Sequence, residues 1–196
     1  ITATSACGNS SKLLLSFKVS DHPINHVMWA PGGRLLVWSF YNEQNILQLV
    51  DFKRRQVIPL LKVQLNAIHV PITNLFLSKD RSMFCVLIGN QTAVFMTTSS
   101  HPTHIGTLNF KHQVIGSFDP TGTKAVFIRK DGYIYIASIN YEEKIIVVSQ
   151  KCQAKYLYHD KKGEPTYVIW RSIGILIGTS LGYVILINGE KYCNYQ

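Results

Sequence analysis

The chain has 196 residues, 46% of them apolar and 16% charged, with a net charge of +9. That apolar content excludes a disordered chain and suits one domain, or part of a larger one. No apolar run reaches the roughly 18 to 20 residues of a membrane-crossing helix, and the positive charge points to an acidic partner such as nucleic acid, an anionic membrane or an acidic protein surface.

Taken in chain order, short apolar runs alternate with Gly, Pro, Asn and Asp breakers: 13–19, 34–40, 46–52, 57–63, 83–88, 92–96, 124–128, 133–139, 144–149, 166–170, 173–177 and 183–187. They are rich in Val, Ile, Phe and Tyr, which fit a pleated, half-buried surface, so each run is read as a strand. No stretch sustains an apolar stripe at helical spacing, and the expected class is all-β with almost no helix.

A repeat organises the runs. A large apolar residue closing one strand, then a turn, then a second apolar strand occurs at Trp29, Leu77, Phe118 and Trp170, with spacings of 48, 41 and 52 residues. A third strand follows each time, and a fourth follows in the first three units, as in Gln56–Val63, His104–Phe110 and Glu143–Gln150. Each unit is therefore expected to be a four-stranded antiparallel meander, with units near 24–63, 72–110, 114–150 and 166–196.

On the turns Pro31-Gly32-Gly33, Asp119-Pro120-Thr121-Gly122, Asp131-Gly132 and Leu181-Gly182-Tyr183, the chain resembles the WD40-like β-propeller family over residues 12 to 190. The family's Gly-His and Trp-Asp dipeptides are absent, Val50-Asp51 being the nearest relic, so the resemblance is to a divergent member. It implies β-propeller blades of four-stranded meanders and a non-catalytic role. About four blades stand at the low end of the usual four to eight, so a portion of a larger propeller is expected. Lys12–Val19 would then be the outer strand of a preceding blade. The start at Ile1, without a leader, is read the same way, as a piece of a longer chain.

Candidate chemistry is sparse. Gly178-Thr179-Ser180-Leu181-Gly182 spells a nucleophile elbow, but that motif needs a strand, a strained turn and a helix, with an acid and a His further on. Here Tyr183–Ile187 follows as a strand, with no His after it, so Ser180 is expected in a hairpin turn. The histidines form two close pairs, His22/His26 and His101/His104, neither accompanied by a ligand set of zinc type. Cys7, Cys85, Cys152 and Cys193 stand far apart and are read as reduced thiols of an intracellular protein. Two sequons, at Asn9 and Asn90, keep an exported protein in view. Most acidic residues, including Asp80, Asp119, Asp131, Asp160 and Glu164, fall in turns, where such side chains bond local backbone. No phosphate-binding glycine motif occurs, and no cofactor, metal site or catalytic residue is expected.

What remains is surface. Lys53-Arg54-Arg55 is the densest basic cluster, and Lys151–Tyr167 is the longest irregular connection, carrying Tyr156, Tyr158, Lys161 and Lys162. Long loops on a rigid scaffold tend to carry function. The expected role is an intracellular protein-interaction scaffold within a multi-protein complex, docking other subunits through Lys53, Arg54, Arg55, Tyr156, Tyr158, Lys161 and Lys162. The alternative is a nucleic-acid-binding subunit using aromatic residues among the basic ones. An enzyme with its site in a central channel is the third reading, disfavoured because no acids or histidines converge in the sequence.

Overall fold

The structure is a computed structural model that describes residues 2–7, 10–16, 18–60, 70–89, 92–99, 103–153 and 162–188. Apart from one 3-10 turn at Pro31–Gly33, the regular structure among them is all β. The chain divides into two compact units, Ile1–Gln64 and Leu65–Gln196.

The first unit holds a two-stranded hairpin, β1 (Thr2–Cys7) with β2 (Ser10–Ser16). It also holds a four-stranded meander of β3 (His26–Ala30), β4 (Arg34–Tyr41), β5 (Gln44–Asp51) and β6 (Gln56–Pro59). The strand expected over 13–19 is present as β2, which pairs with β1, and residues 18 and 19 are not in strand. The Ser20 hydroxyl accepts the amide of His22 at 3.0 Å and Pro23 follows, so the chain turns away from extended pairing here. Val19 is consequently free to pack against the meander, where it is buried with Leu35, Val37 and Val50.

The second unit stacks three antiparallel sheets. The first is β7 (Ile72–Leu77), β8 (Met83–Ile88), β9 (Thr92–Thr97) and β10 (His104–Asn109). The second is β11 (Val114–Phe118), β12 (Lys124–Arg129), β13 (Tyr133–Asn140) and β14 (Ile145–Gln153), and the third β15 (Pro165–Arg171), β16 (Gly174–Thr179) and β17 (Val184–Ile187). Every sheet keeps its strands in chain order, as hairpin connections require.

The period of two residues along a strand explains the stacking. On β12, Ala125 and Phe127 enter one core with Met83, Cys85, Leu87 and Phe95, while Val126 and Ile128 enter another with Val168, Ile175, Ile177 and Ile187. A strand apolar on both faces is stable only between two sheets. β8 shows the same logic, since all of Met83–Ile88 is buried. In the first core Phe127 lies 6.2 Å from Phe76, 6.0 Å from Phe95 and 4.9 Å from Phe110 between ring centroids. Such pairs add about 0.5–1.5 kcal/mol each beyond the apolar area they bury. In the third sheet β16 opens at Gly174, whose φ is +132° and where a Cβ would stand 2.3 Å from the carbonyl oxygen of Ile187.

Candidate functional site

The meander topology sorts the loops of each sheet to two ends. In the second sheet Val114 pairs with Arg129 and Tyr133 with Gln153. One end of this sheet therefore carries the 110–113 connection, the turn at Lys130–Gly132 and the close of β14. In the third sheet the Ser180 amide donates to the Glu164 carbonyl at 2.9 Å, which sets Lys162–Glu164 beside the β16–β17 turn. Turns at Ser78–Ser82, Asp119–Thr123 and Tyr141–Lys144 occupy the opposite ends of the first two sheets.

A cation-rich aromatic cluster forms at the first of these ends. Tyr135 pairs with Lys151 across β13 and β14, and with Phe127 across β12, so these side chains share one face. The guanidinium of Arg129 donates to the Tyr135 hydroxyl at 3.1 Å and to the Asp131 carboxylate. Its carbon lies 4.9 Å from the centre of the Tyr133 ring, while the Lys151 ammonium lies 5.2 Å from that ring and 5.7 Å from Tyr135. Phe110 closes the inner side, with its ring centroid 5.5 Å from that of Tyr135. Burial works against the charge on Arg129, but the Tyr135 hydroxyl and the Asp131 carboxylate outweigh it and hold the guanidinium's proton more firmly than usual. Exposed Lys111, His112 and Lys130 flank the cluster. Lys130 reaches Glu164 at 3.5 Å across open surface, an ion pair of little energetic weight.

The opposite end uses its polar side chains on itself. Asp119 is buried and accepts the amides of Thr121 at 3.1 Å and Lys124 at 2.8 Å. Asp80 accepts the Ser78 hydroxyl at 2.6 Å and the Ser82 amide at 3.1 Å. Burial pushes Asp80 up, yet those hydrogen bonds more than offset it and hold the carboxyl below its ordinary range. The acidic turn residues Asp80 and Asp119 are thus structural, each holding its own turn.

Of the residues singled out in the sequence, Lys53, Arg54 and Arg55 share the exposed β5–β6 turn. The Asp51 carboxylate accepts the Arg54 amide at 3.0 Å and Arg55 takes φ +54°, so the turn presents all three outward on a fixed backbone. Lys162 is half-buried at the start of the third sheet's approach. Tyr156, Tyr158 and Lys161 lie outside the described residues. Ser180 sits in the β16–β17 turn, where its hydroxyl accepts the Glu164 amide at 3.0 Å and Gly182 supplies φ +82°. His22 stacks on Tyr41 with centroids 4.3 Å apart, and His104 contacts the Thr107 hydroxyl at 2.9 Å. His26 is the first residue of β3, with its ring centroid 6.1 Å from that of Trp38. Cys85 is a buried free thiol, and burial pushes its pKa well up. Among the described residues no three of His, Cys, Asp and Glu gather as metal ligands would.

The cluster of Arg129, Tyr133, Tyr135 and Lys151 was not legible from local charge density, because its members come from two hairpins. The usable signal was the alternation in Asp131-Gly132-Tyr133-Ile134-Tyr135-Ile136, which sends both tyrosines to one face and both isoleucines to the other.

No protein-family model and no curated protein matches this chain. Among solved structures, the β-propeller domain of Cps50 (Swd1) from Myceliophteria thermophila superposes with TM-score 0.59 at 12% identity, covering 90% of this chain and 58% of that one. A structural genomics protein of unknown function from Bacteroides thetaiotaomicron gives TM-score 0.49 at 12% identity, covering 84% of this chain and 43% of its own. The chain therefore spans about half the length of these structures. The Cps50 likeness identifies the sheets as β-propeller blades, in line with the all-β expectation. No described helix is long and apolar enough to cross a membrane.

Proposed function

We propose that this chain is the WD-repeat-like propeller portion of an intracellular, non-catalytic scaffold subunit that docks other proteins of a multi-protein complex. The observation that carries this reading is the contrast between the two ends of the second unit. One end spends its polar groups on its own turns, while the other exposes cations around aromatic rings seated on a packed core. Rigid sheets with outward-facing Arg, Lys and Tyr are suited to protein recognition, where aromatic and arginine anchors carry most of the affinity. In this proposal Lys53, Arg54 and Arg55, on their constrained turn, make a further contact with a partner, and Tyr156, Tyr158, Lys161 and Lys162 are contact residues in their own right.

A nucleic-acid-binding role is the second reading, and the net charge of +9 favours it. The two part in one experiment: affinity purification of the protein from nuclease-treated and untreated extract, followed by mass spectrometry. A fixed set of proteins retained after nuclease at moderate salt is the expected result. A set that vanishes with nuclease, together with affinity falling steeply as salt rises, assigns the surface to nucleic acid instead.

A further inference from the structure

We infer that the shelf formed by Phe110, Tyr133, Tyr135 and Lys151 is the docking site for an acidic peptide segment of a partner protein. This rests on the scaffold reading above and names the chemistry of what it binds.

The floor of the shelf is aromatic and fixed. Tyr135 is wedged between Phe110, at 5.5 Å, and the Arg129 guanidinium, whose N–H it accepts at 3.1 Å. Phe110 in turn packs on Phe127 in the core. The edges are cationic. Lys151 leans over both tyrosine rings, and Lys111 follows Phe110 on the exposed connection. The single carboxylate within the cluster, Asp131, is engaged by Arg129. Positive charge at the surface of the shelf is thus not neutralised from within it, and its complement is a segment bearing carboxylates.

A peptide fits this arrangement better than a nucleic-acid strand. Single-stranded binding needs aromatic faces on which bases stack and a basic track following the phosphates. Here the Tyr133 ring already engages two cations, and Tyr135 is held edge-on to Phe110. The ring faces are therefore engaged, while Lys151, over the rings, and Lys111, beside Phe110 in the chain, are exposed residues. Carboxylates on an extended chain meet the cations, and the apolar parts of that chain rest on the ring edges.

The test uses the protein with a fluorescein-labelled peptide of alternating Glu and Gly, and a single-stranded oligo-uridine of equal charge as competitor. The expected result is binding that weakens at least tenfold in Lys151→Glu and in Lys111→Glu, with each variant's fold checked by circular dichroism. Lys53→Glu is expected to stay within twofold of the parent. Two independent charge reversals keep the test decisive if one variant fails to fold. The inference is overturned if the peptide does not bind, if both reversals bind as the parent does, or if oligo-uridine displaces the peptide and depends on the same lysines. Its failure is distinct from failure of the scaffold reading. Protein partners retained equally by the parent and by Lys151→Glu after nuclease sink this site alone, whereas the absence of any nuclease-resistant partner sinks the scaffold.

Discussion

Ser180 illustrates how little a five-residue motif says without its backbone. Its hydroxyl is committed to the Glu164 amide at 3.0 Å, and its own amide to the Glu164 carbonyl at 2.9 Å, so it staples the approach to β15 onto the β16–β17 turn. Ser180→Ala removes the acceptor for one partly exposed amide and is expected to cost about 0.5–1.5 kcal/mol in urea unfolding. Ester hydrolysis by the protein, assayed on a chromogenic ester, is expected to be absent before and after the change. Asp80 carries a pH signature instead. Its carboxyl is held below the ordinary carboxylate range by Ser78 and Ser82 against the opposing effect of burial. A folded-state pKa below the unfolded one adds stability that is present above the unfolded value, about 3.9, and is lost as pH falls through the folded value. Asp80→Asn is therefore expected to flatten the acid limb of a stability-versus-pH curve below about pH 4, while a parallel curve in both proteins contradicts the assignment.

At the scale of strands and sheets, much of the architecture was legible because β structure writes itself into short apolar runs and turn residues. Trp29, Leu77, Phe118 and Trp170, chosen as repeat anchors, all stand in the first strand of their sheets, at or next to its end. The unbroken apolar run Ala125–Ile128 carried the two-sided burial that makes stacked sheets necessary, whereas burial largely alternates along Tyr133–Asn140. What the runs could not carry was pairing across distance. Lys151 joins Tyr135 across a hairpin at sixteen residues' separation, because register is set by cores that no single segment contains. The first core of the second unit turns on Phe127, fully buried and in ring contact with Phe76, Phe95 and Phe110. Phe127→Ala is expected to destabilise the second unit by about 3–5 kcal/mol, measured as a lowered urea midpoint. A loss below about 1 kcal/mol would place the core elsewhere.

Across the whole molecule, the net charge of +9 was visible from composition, but its distribution was not. At one end of the second unit's sheets Asp80 and Asp119 share their turns with Lys79, Arg81 and Lys124, and at the other the Arg129 guanidinium and the Lys151 ammonium stand over the Tyr133 ring. The basic clusters of adjacent residues, Lys53–Arg55 and Lys161–Lys162, were the natural choice from the sequence. Folding instead assembled its richest cation-aromatic group from residues 129, 133, 135 and 151, each unremarkable alone. In the reading proposed above, a partner protein docks at this end of the second unit. Hydrogen exchange of the protein, free and bound to a partner retained after nuclease treatment, tests it most directly. Slowed exchange at 110–113, 129–135 and 149–153 is the predicted result; protection confined to 78–82, 119–123 and 141–144, with these segments unchanged, contradicts it.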